Sequence, residues 1–151
     1  MNVFVTVGTT RFDSLINHVV QDPFFSDCDC ILQVGNKVLC PKGFDCFEYT
    51  DSIHHYYHWA DVVVTHGGGG SVYQLLALSK PIVIVPNYDR LDKHQCDIAR
   101  FMHENGHALV VESLDMLSET VKKAANMTFR PFKRDKFFVT EDILGFLLGD
   151  N

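Results

Sequence analysis

The sequence predicts an α/β domain with a Rossmann-like parallel sheet and helices on both faces. Short, almost entirely apolar runs alternate with stretches of helical periodicity along most of the chain. Strands that are apolar on both sides belong inside such a sheet, because helices cover each face. The length of 151 residues suits one domain with one sizeable core.

Six strands and five helices are predicted from this alternation. The strands occupy residues 3–7, 31–34, 44–49, 62–65, 82–85 and 108–111. The helices occupy residues 12–20, 53–59, 72–78, 94–105 and 116–125. Asp51 or Ser52 is the expected N-cap of the second helix. Gly106 is the expected glycine at the end of the fourth helix.

The overall charge and hydrophobicity argue against several classes of function. Hydrophobic residues make up 46% of the chain and charged residues 21%, which is typical of a folded globular domain. The net charge of −6, without a basic arm, argues against nucleic acid as a partner. No apolar stretch has transmembrane length, and the N-terminus does not resemble a signal peptide. We therefore expect a cytoplasmic chain that is peripheral to a membrane only through a partner.

The cysteines are expected to be reduced thiols, because the count of five is odd and no export signal is present. Four of them lie near one another in the sequence: Cys28, Cys30, Cys40 and Cys46. Their spacing matches no common zinc-ligand pattern, so structural thiols are favoured over a zinc site.

The strongest local motif is the segment Thr-His-Gly-Gly-Gly-Gly-Ser at residues 65–71. It connects an apolar strand to a helix, where bare backbone N–H groups and the positive end of the helix dipole form an anion site. The expected ligand is a phosphate group. The motif is neither a Walker loop nor a clean Gly-x-Gly-x-x-Gly. A simple tight turn is the alternative, although four successive glycines carry a heavy entropic cost for a turn.

A second junction, Gly8-Thr9-Thr10, follows the first strand and offers two hydroxyl groups. Its alternative role is to cap the next helix. Parallel strands bring both junctions to the same sheet edge, where together they suit a diphosphate. Two such junctions suit a diphosphate without a metal, so neither a metal nor a cofactor is expected. His94 and Gln95, at a helix start near this edge, suit sugar hydroxyls, or are simply solvated.

The tail at residues 128–151 differs from residues 1–127, which we expect to form the Rossmann-like domain. It begins with a basic stretch at residues 130–136 and ends in an apolar helix around residues 143–148. Two interpretations remain open: the helix docks on a partner, or it covers this domain's own sheet.

Together these motifs resemble the C-terminal, donor-binding half of glycosyltransferase family 28, over about residues 1–127. The matching segments are Phe-Val-Thr-Val-Gly-Thr-Thr-x-Phe-Asp from residue 4, Trp-Ala-Asp-Val-Val-Val at 59–64, the loop at 66–71, Lys-Pro-Ile-Val-Ile-Val-Pro at 80–86, and His94-Gln95. The chain is similar, more narrowly, to stand-alone subunits of two-component UDP-sugar transferases. Such subunits act in dolichol-linked UDP-GlcNAc transfer and in bacterial capsule and exopolysaccharide assembly.

The resemblance implies a GT-B fold divided between two chains, with this chain as the donor-binding catalytic subunit. It implies inverting transfer of a hexose or N-acetylhexosamine from a UDP-sugar to a lipid-linked saccharide. A membrane-anchored partner subunit would supply the acceptor domain. His66 would stabilise the leaving diphosphate, and the general base is not assigned to this chain. The alternative is a non-catalytic nucleotide-sugar-binding or enhancer subunit.

The resemblance also implies a set of donor-binding residues. These are Gly8, Thr9, Thr10, Tyr49, Thr50, His66, Gly67, Gly68, Gly69, Gly70, Ser71, Gln74, His94 and Gln95. The pyrophosphate would lie between the two glycine junctions, uracil against Tyr49 and Thr50, and the donor sugar against Gln95. Gln74 stands where the family usually has a glutamate that binds the ribose diol, and this neutral substitution keeps the non-catalytic alternative open.

Overall fold

The computed structural model describes residues 1–35, 40–87 and 93–133. The strands are β1 Asn2–Thr6, β2 Asp29–Gln33, β3 Asp45–Phe47, β4 Val62–Thr65, β5 Ile82–Ile84 and β6 Leu109–Val110. The helices are α1 Asp13–Gln21, α2 Pro23–Ser26, α3 Ile53–Trp59, α4 Gly69–Ala77, α5 Lys93–Glu104 and α6 Leu117–Ala125, with a 3-10 turn at Leu114–Met116. These elements confirm the predicted order and add α2 and the 3-10 turn.

The described strands form one six-stranded parallel sheet in the order β3-β2-β1-β4-β5-β6. The predicted Rossmann-like fold is therefore confirmed. The chain builds outward from β1 to β3 on one side, then crosses over and builds from β4 to β6 on the other. Such a reversal opens a crevice at the carboxyl edge of the sheet. Because Thr6 pairs with Thr65, the loops after β1 and β4 begin side by side.

Each face of the sheet supports its own apolar cluster, because successive side chains on a strand point to opposite faces. Val3 and Val5 of β1 pack in the cluster that includes residues of α1, α2 and α6. Phe4, between them, packs in the cluster that includes residues of α3, α4 and α5. Both faces of β1 are fully buried, which explains why this strand has no polar alternation.

Two predicted helix signals have different outcomes. Gly106 follows the end of α5 with φ +71°, a left-handed conformation that glycine adopts without steric cost, so the predicted helix stop is confirmed. Ser52 occupies the N-cap position of α3, but its side chain makes no capping bond. Instead, the Ser52 N–H donates to the Thr50 hydroxyl at 3.1 Å. The predicted N-cap position is therefore confirmed at Ser52, without a capping hydrogen bond from its side chain.

The described part of the tail, residues 128–133, packs on this domain. The Arg130 N–H donates to the Gly106 carbonyl at 2.9 Å, and the His107 ring lies 2.8 Å from the Arg130 carbonyl. Phe129 and Phe132 pack against the two apolar clusters. The predicted apolar helix around residues 143–148 lies outside the described residues. In the described part of the chain, no helix is long and apolar enough to cross a membrane.

The cysteines only partly match the expectation of reduced thiols. Cys40 and Cys46 are joined by a disulfide, with their Cα atoms 5.9 Å apart, so that expectation is wrong for this pair. Cys28, Cys30 and Cys96 are free thiols. Burial raises the pKa of Cys30 to about 12, as expected for a thiol that serves as a small apolar side chain.

Lys80 joins the end of α3 to the start of β5. Its ammonium group donates to the His58 carbonyl at 2.9 Å and to the Ala60 carbonyl at 2.7 Å. These carbonyls belong to the end of a helix, where intrahelical donors are lacking and a cation is favourable.

We therefore predict that Lys80→Met lowers the free energy of unfolding by about 1.5–3 kcal/mol, since hydrogen bonds to charged groups have this magnitude. Urea denaturation followed by circular dichroism measures the change. Lys123→Met is the matched control, because Lys123 is exposed on α6 and its side chain has no hydrogen bond in the described structure. The control should change stability by no more than about 0.5 kcal/mol. Equal losses in both variants would contradict the role of Lys80.

Candidate functional site

The loops after β1 and β4 meet at the point where the strand order reverses. The His66 ring, after β4, lies under both loops and is only 6% exposed. A Cβ atom placed on Gly8 would lie 3.3 Å from His66 Cε1, and one placed on Gly68 would lie 2.8 Å from His66 Nε2. The missing side chains of Gly8 and Gly68 thus leave the space that the imidazole occupies. The structure brings the two glycine junctions together around this ring.

Helix α4 begins inside the glycine loop and leaves its first amides open. Gly67 adopts φ +87°, which turns the chain sharply after β4. Gly68 is the N-cap residue and offers no side chain, and the Val72 N–H makes the first helical bond, to the Gly68 carbonyl at 3.0 Å. No described residue accepts a hydrogen bond from the Gly69, Gly70 or Ser71 N–H. Three such donors at the positive end of a helix dipole are an arrangement that suits an anion.

The Gly8-Thr9-Thr10 turn offers fewer backbone donors than its sequence suggests. The Gly8 N–H donates to the Thr6 hydroxyl and the Thr10 N–H donates to the Val7 carbonyl, both at 3.1 Å. These bonds leave the Thr9 N–H and the hydroxyls of Thr9 and Thr10 for a ligand. The alternative that this motif caps the next helix is wrong, because α1 has Phe12 at its N-cap position and no side-chain cap.

The turn at residues 8–10 is also fixed from the side. A Cβ atom on Gly35, just after β2, would lie 2.6 Å from the Thr10 carbonyl oxygen, so only glycine permits this approach. The Asn87 amide, after β5, donates to the Arg11 carbonyl at 3.4 Å and is 3% exposed. Residues after β2 and β5 therefore contact the segment that follows β1.

A buried polar pair lies directly beneath this turn. The Thr6 hydroxyl donates to Gln33 Oε1 at 2.6 Å, and Gln33 Nε2 donates to the Glu48 carbonyl at 3.4 Å. Thr6 and Gln33 are not among the site residues predicted from the sequence. Each is a polar residue at the end of a mainly apolar strand, and this position is the sequence feature that could have identified them as site residues.

Tyr49 and Thr50 follow β3, at the far side of the same sheet edge. The Tyr49 ring is 67% exposed, and its hydroxyl donates to Asp51 Oδ1 at 2.7 Å. This hydrogen bond and the negative charge of Asp51 raise the pKa of Tyr49. The Thr50 hydroxyl accepts from the Ser52 N–H. One face of the phenol ring is therefore available to stack on a planar ligand.

The remaining predicted residues have different surroundings. The Ser71 hydroxyl bonds to the phenol of Tyr57 on α3, which partly offsets the burial that raises the pKa of Tyr57. The Ser71 side chain thus holds α4 against α3, and only its backbone N–H remains for a ligand.

Gln74 is exposed and lines a groove of about 1030 Å³ with Tyr73 and Phe132. His94 and Gln95 begin α5, but their side chains lie outside the described residues.

Metal ligands do not cluster in the described part of the chain. No three His, Cys, Asp or Glu side chains there lie close enough to hold a metal ion together. His54, His55 and His58 are exposed on α3, as expected for surface histidines. What the site offers to a ligand is therefore a set of backbone amides, hydroxyl groups and the His66 ring.

Solved structures with this architecture include two glycosyltransferase chains. One is the solution structure of ALG13, with a TM-score of 0.62, 21% identity, and coverage of 95% of this chain and 94% of that one. The other is CalG4, the calicheamicin glycosyltransferase, with a TM-score of 0.67, 19% identity, and coverage of 83% and 34%. At these identities the likeness establishes the fold alone.

Relatives in sequence include the UDP-N-acetylglucosamine transferase subunit ALG13 of two organisms. The Yarrowia lipolytica protein is 38% identical over 131 residues, which are 76% of this chain and 67% of that protein. The Mus musculus protein is 36% identical over 121 residues, which are 69% of this chain. The chain spans only 10% of the length of the mouse protein.

The family itself is established by a match over most of the chain. Residues 2–141 match the sequence model of the glycosyltransferase family 28 C-terminal domain. The matched range includes every strand and helix described above. The chain therefore belongs to glycosyltransferase family 28 and carries its C-terminal domain.

Proposed function

We propose that this chain is the donor-binding subunit of an inverting UDP-sugar glycosyltransferase that works with a membrane-anchored partner. The observation that carries the proposal is the uncapped start of α4 beside His66, where three amides converge on one side of the Gly8-Thr9-Thr10 turn. A diphosphate fits such a site, because each phosphate needs several hydrogen-bond donors. The names of the ALG13 relatives favour N-acetylglucosamine as the sugar.

The reaction would be a single displacement at the anomeric carbon. The acceptor hydroxyl attacks from the face opposite UDP, its proton passes to a base, and the bond to the diphosphate oxygen breaks. Negative charge grows on that oxygen as the bond breaks. The α4 amides and the His66 ring would stabilise this charge where it develops, which is the condition for catalysis rather than mere binding. We assign the base to the partner or to the interface, since inverting transfer needs it on the acceptor side.

Gln74 favours a second candidate function, a subunit that binds the nucleotide sugar without turning it over. A neutral amide forms weaker hydrogen bonds to a ribose diol than a carboxylate does. Turnover by the chain together with its partner, and loss of turnover when only the glycine loop is altered, separates the two candidates. Binding without turnover would favour the second.

We predict that the chain binds UDP without a divalent metal, because α4 and the two threonine hydroxyls supply the donors. Calorimetry with UDP should give Kd values in EDTA and in Mg²⁺ that agree within about threefold. Uridine, which lacks the diphosphate, should bind at least about tenfold more weakly. Binding that requires Mg²⁺ would overturn the metal-free site, and equal binding of uridine would overturn its assignment to the diphosphate.

We predict that Gly68→Val weakens UDP binding at least about tenfold. Gly68 has φ −60°, which valine tolerates, so backbone strain does not obscure the result. The new Cβ would lie 2.8 Å from His66 Nε2 and must displace that ring from the site. Ala125→Val, at an exposed position at the end of α6, is the control and should bind UDP normally. Normal binding by Gly68→Val would mean that the loop is only a turn.

We propose further that the tail beyond the described residues docks on the partner. Deletion of residues 138–151 keeps Phe129 and Phe132, which pack on this domain. The shortened chain should keep its UDP affinity and melting temperature but lose its sedimentation with membranes that carry the partner. Full-length chain with the same membranes is the reference. Unfolding or aggregation of the shortened chain would show instead that the tail completes this domain's own core.

A further inference from the structure

We propose that Thr6 and Gln33 are positioning residues in the donor site. They hold the side that binds the diphosphate, at the Gly8-Thr9-Thr10 turn, in a fixed position relative to the side that binds uracil, at Tyr49 and Thr50. The inference rests on the proposed function, because it assigns the two sides of the site as that function does. Neither residue would touch the donor. Thr6 would act through the Gly8 amide, and Gln33 through the Glu48 carbonyl.

Thr6 sets the direction of the turn that follows β1. Its hydroxyl makes two hydrogen bonds: it accepts from the Gly8 N–H at 3.1 Å and donates to Gln33 Oε1 at 2.6 Å. The bond to Gly8 fixes a residue with φ +58°, the first residue of the turn. The peptide after Gly8 carries the Thr9 N–H, the amide of this turn that no described residue engages. Holding Gly8 therefore also holds the direction of the Thr9 donor.

Gln33 extends the same chain of hydrogen bonds to the other side of the site. Its Nε2 donates to the Glu48 carbonyl at 3.4 Å, directly before Tyr49 and Thr50. Its backbone carbonyl accepts from the Val7 N–H at 3.3 Å, so Gln33 contacts the end of β1, just before the turn, through two bonds. The chain of bonds from Gly8 to Glu48 thus spans β1, β2 and β3 at their carboxyl ends. A shift of the turn would be transmitted to Tyr49 and Thr50, the segment that we assign to the uracil ring of the donor.

The neighbouring strand provides a comparison inside the same protein. Thr65 pairs with Thr6 across β1 and β4 and is fully buried. Its hydroxyl has no hydrogen-bond partner among the described residues. Two threonines of equal burial and equal register thus differ in one respect: only Thr6 is bonded to the loop. Removal of each hydroxyl tests the bond rather than the burial.

The experiment compares Thr6→Val, Thr6→Ser and Thr65→Val in the full chain. Calorimetry with UDP should show Thr6→Val at least about tenfold weaker, Thr6→Ser within about threefold of wild type, and Thr65→Val within about twofold. Amide exchange by NMR supplies a second readout that needs no ligand. The Gly8 amide should exchange at least about tenfold faster in Thr6→Val only.

Gln33→Met distinguishes the contributions of the two sides of the site. It also serves as the test if Thr6→Val does not fold. It keeps the Thr6 hydroxyl on the Gly8 amide but removes the bond to Glu48. In Gln33→Met, the affinity for uridine should therefore fall more than the affinity for pyrophosphate. In Thr6→Val, the affinity for pyrophosphate should fall more than the affinity for uridine. A role limited to stability would lower the melting temperature and weaken both probes alike, and that result would overturn the inference.

The outcomes distinguish this inference from the function on which it rests. Wild-type chain that binds no UDP would overturn the proposed function. Wild-type chain that binds UDP, with Thr6→Val binding it equally well, would overturn the positioning role alone. An equal loss of affinity in Thr65→Val would also overturn it, because the effect would then follow burial and not the bond to Gly8.

Discussion

Strands β1 and β4 are hydrogen-bonded neighbours, but the helices that follow them pack on opposite faces of the sheet. Helix α1 contributes to the cluster around Val3 and Val5, and α4 contributes to the cluster around Phe4. The two connecting loops therefore separate as they leave adjacent strands. Between them lies space in which backbone amides from both loops can face one ligand, and all the proposed chemistry of this chain depends on that space.

Close approach of the backbone is the second requirement, and His66 shows why glycine meets it. The ring is almost completely buried between two loops; a Cβ atom at Gly68 would collide with it, and one at Gly8 would make a tight contact. The same absence of side chains exposes the amides at the start of α4. The glycine loop therefore serves two purposes that a simple turn would not need together: it admits an imidazole beneath the loop and leaves the helix terminus uncapped above it.

Local pattern predicted the framework well and the details of the site less well. Apolar runs and glycine stops determine β4, α3 and the end of α5 through interactions within each segment, so these elements follow from the sequence. The Gly8 amide is different. Its sequence context suggests a free donor, but Thr6, held in turn by Gln33 from a neighbouring strand, occupies it. A bond of this kind depends on strand register, which no local pattern contains.

Two other details that the residue types did not predict are the missing side-chain cap at Ser52 and the Cys40–Cys46 disulfide. Ser52 occupies the predicted N-cap position, but its side chain makes no capping bond, and it is the Thr50 hydroxyl that accepts from the Ser52 N–H. Cys46 lies in β3 and Cys40 in the segment that leads into it, with their Cα atoms 5.9 Å apart. Both contacts join residues close together in the sequence, but each depends on the local path of the backbone, which the residue types alone do not specify.

The charges around the crevice give the site its chemical character. Arg11 lies next to the Gly8-Thr9-Thr10 turn, but it forms an ion pair with Asp13; the Arg11 side chain is exposed and that of Asp13 is partly exposed. Such surface pairs contribute little to stability, and the Arg11 guanidinium is already paired before any ligand binds.

The start of α4 carries no acidic residue that would compete with an anion. A diphosphate bound here would be balanced mainly by backbone dipoles, equivalent to about half a positive charge at the helix start. Dipoles of this kind are fixed by the fold and need no reorganisation as charge develops, so under the proposed function the donor site would be ready before an acceptor arrives.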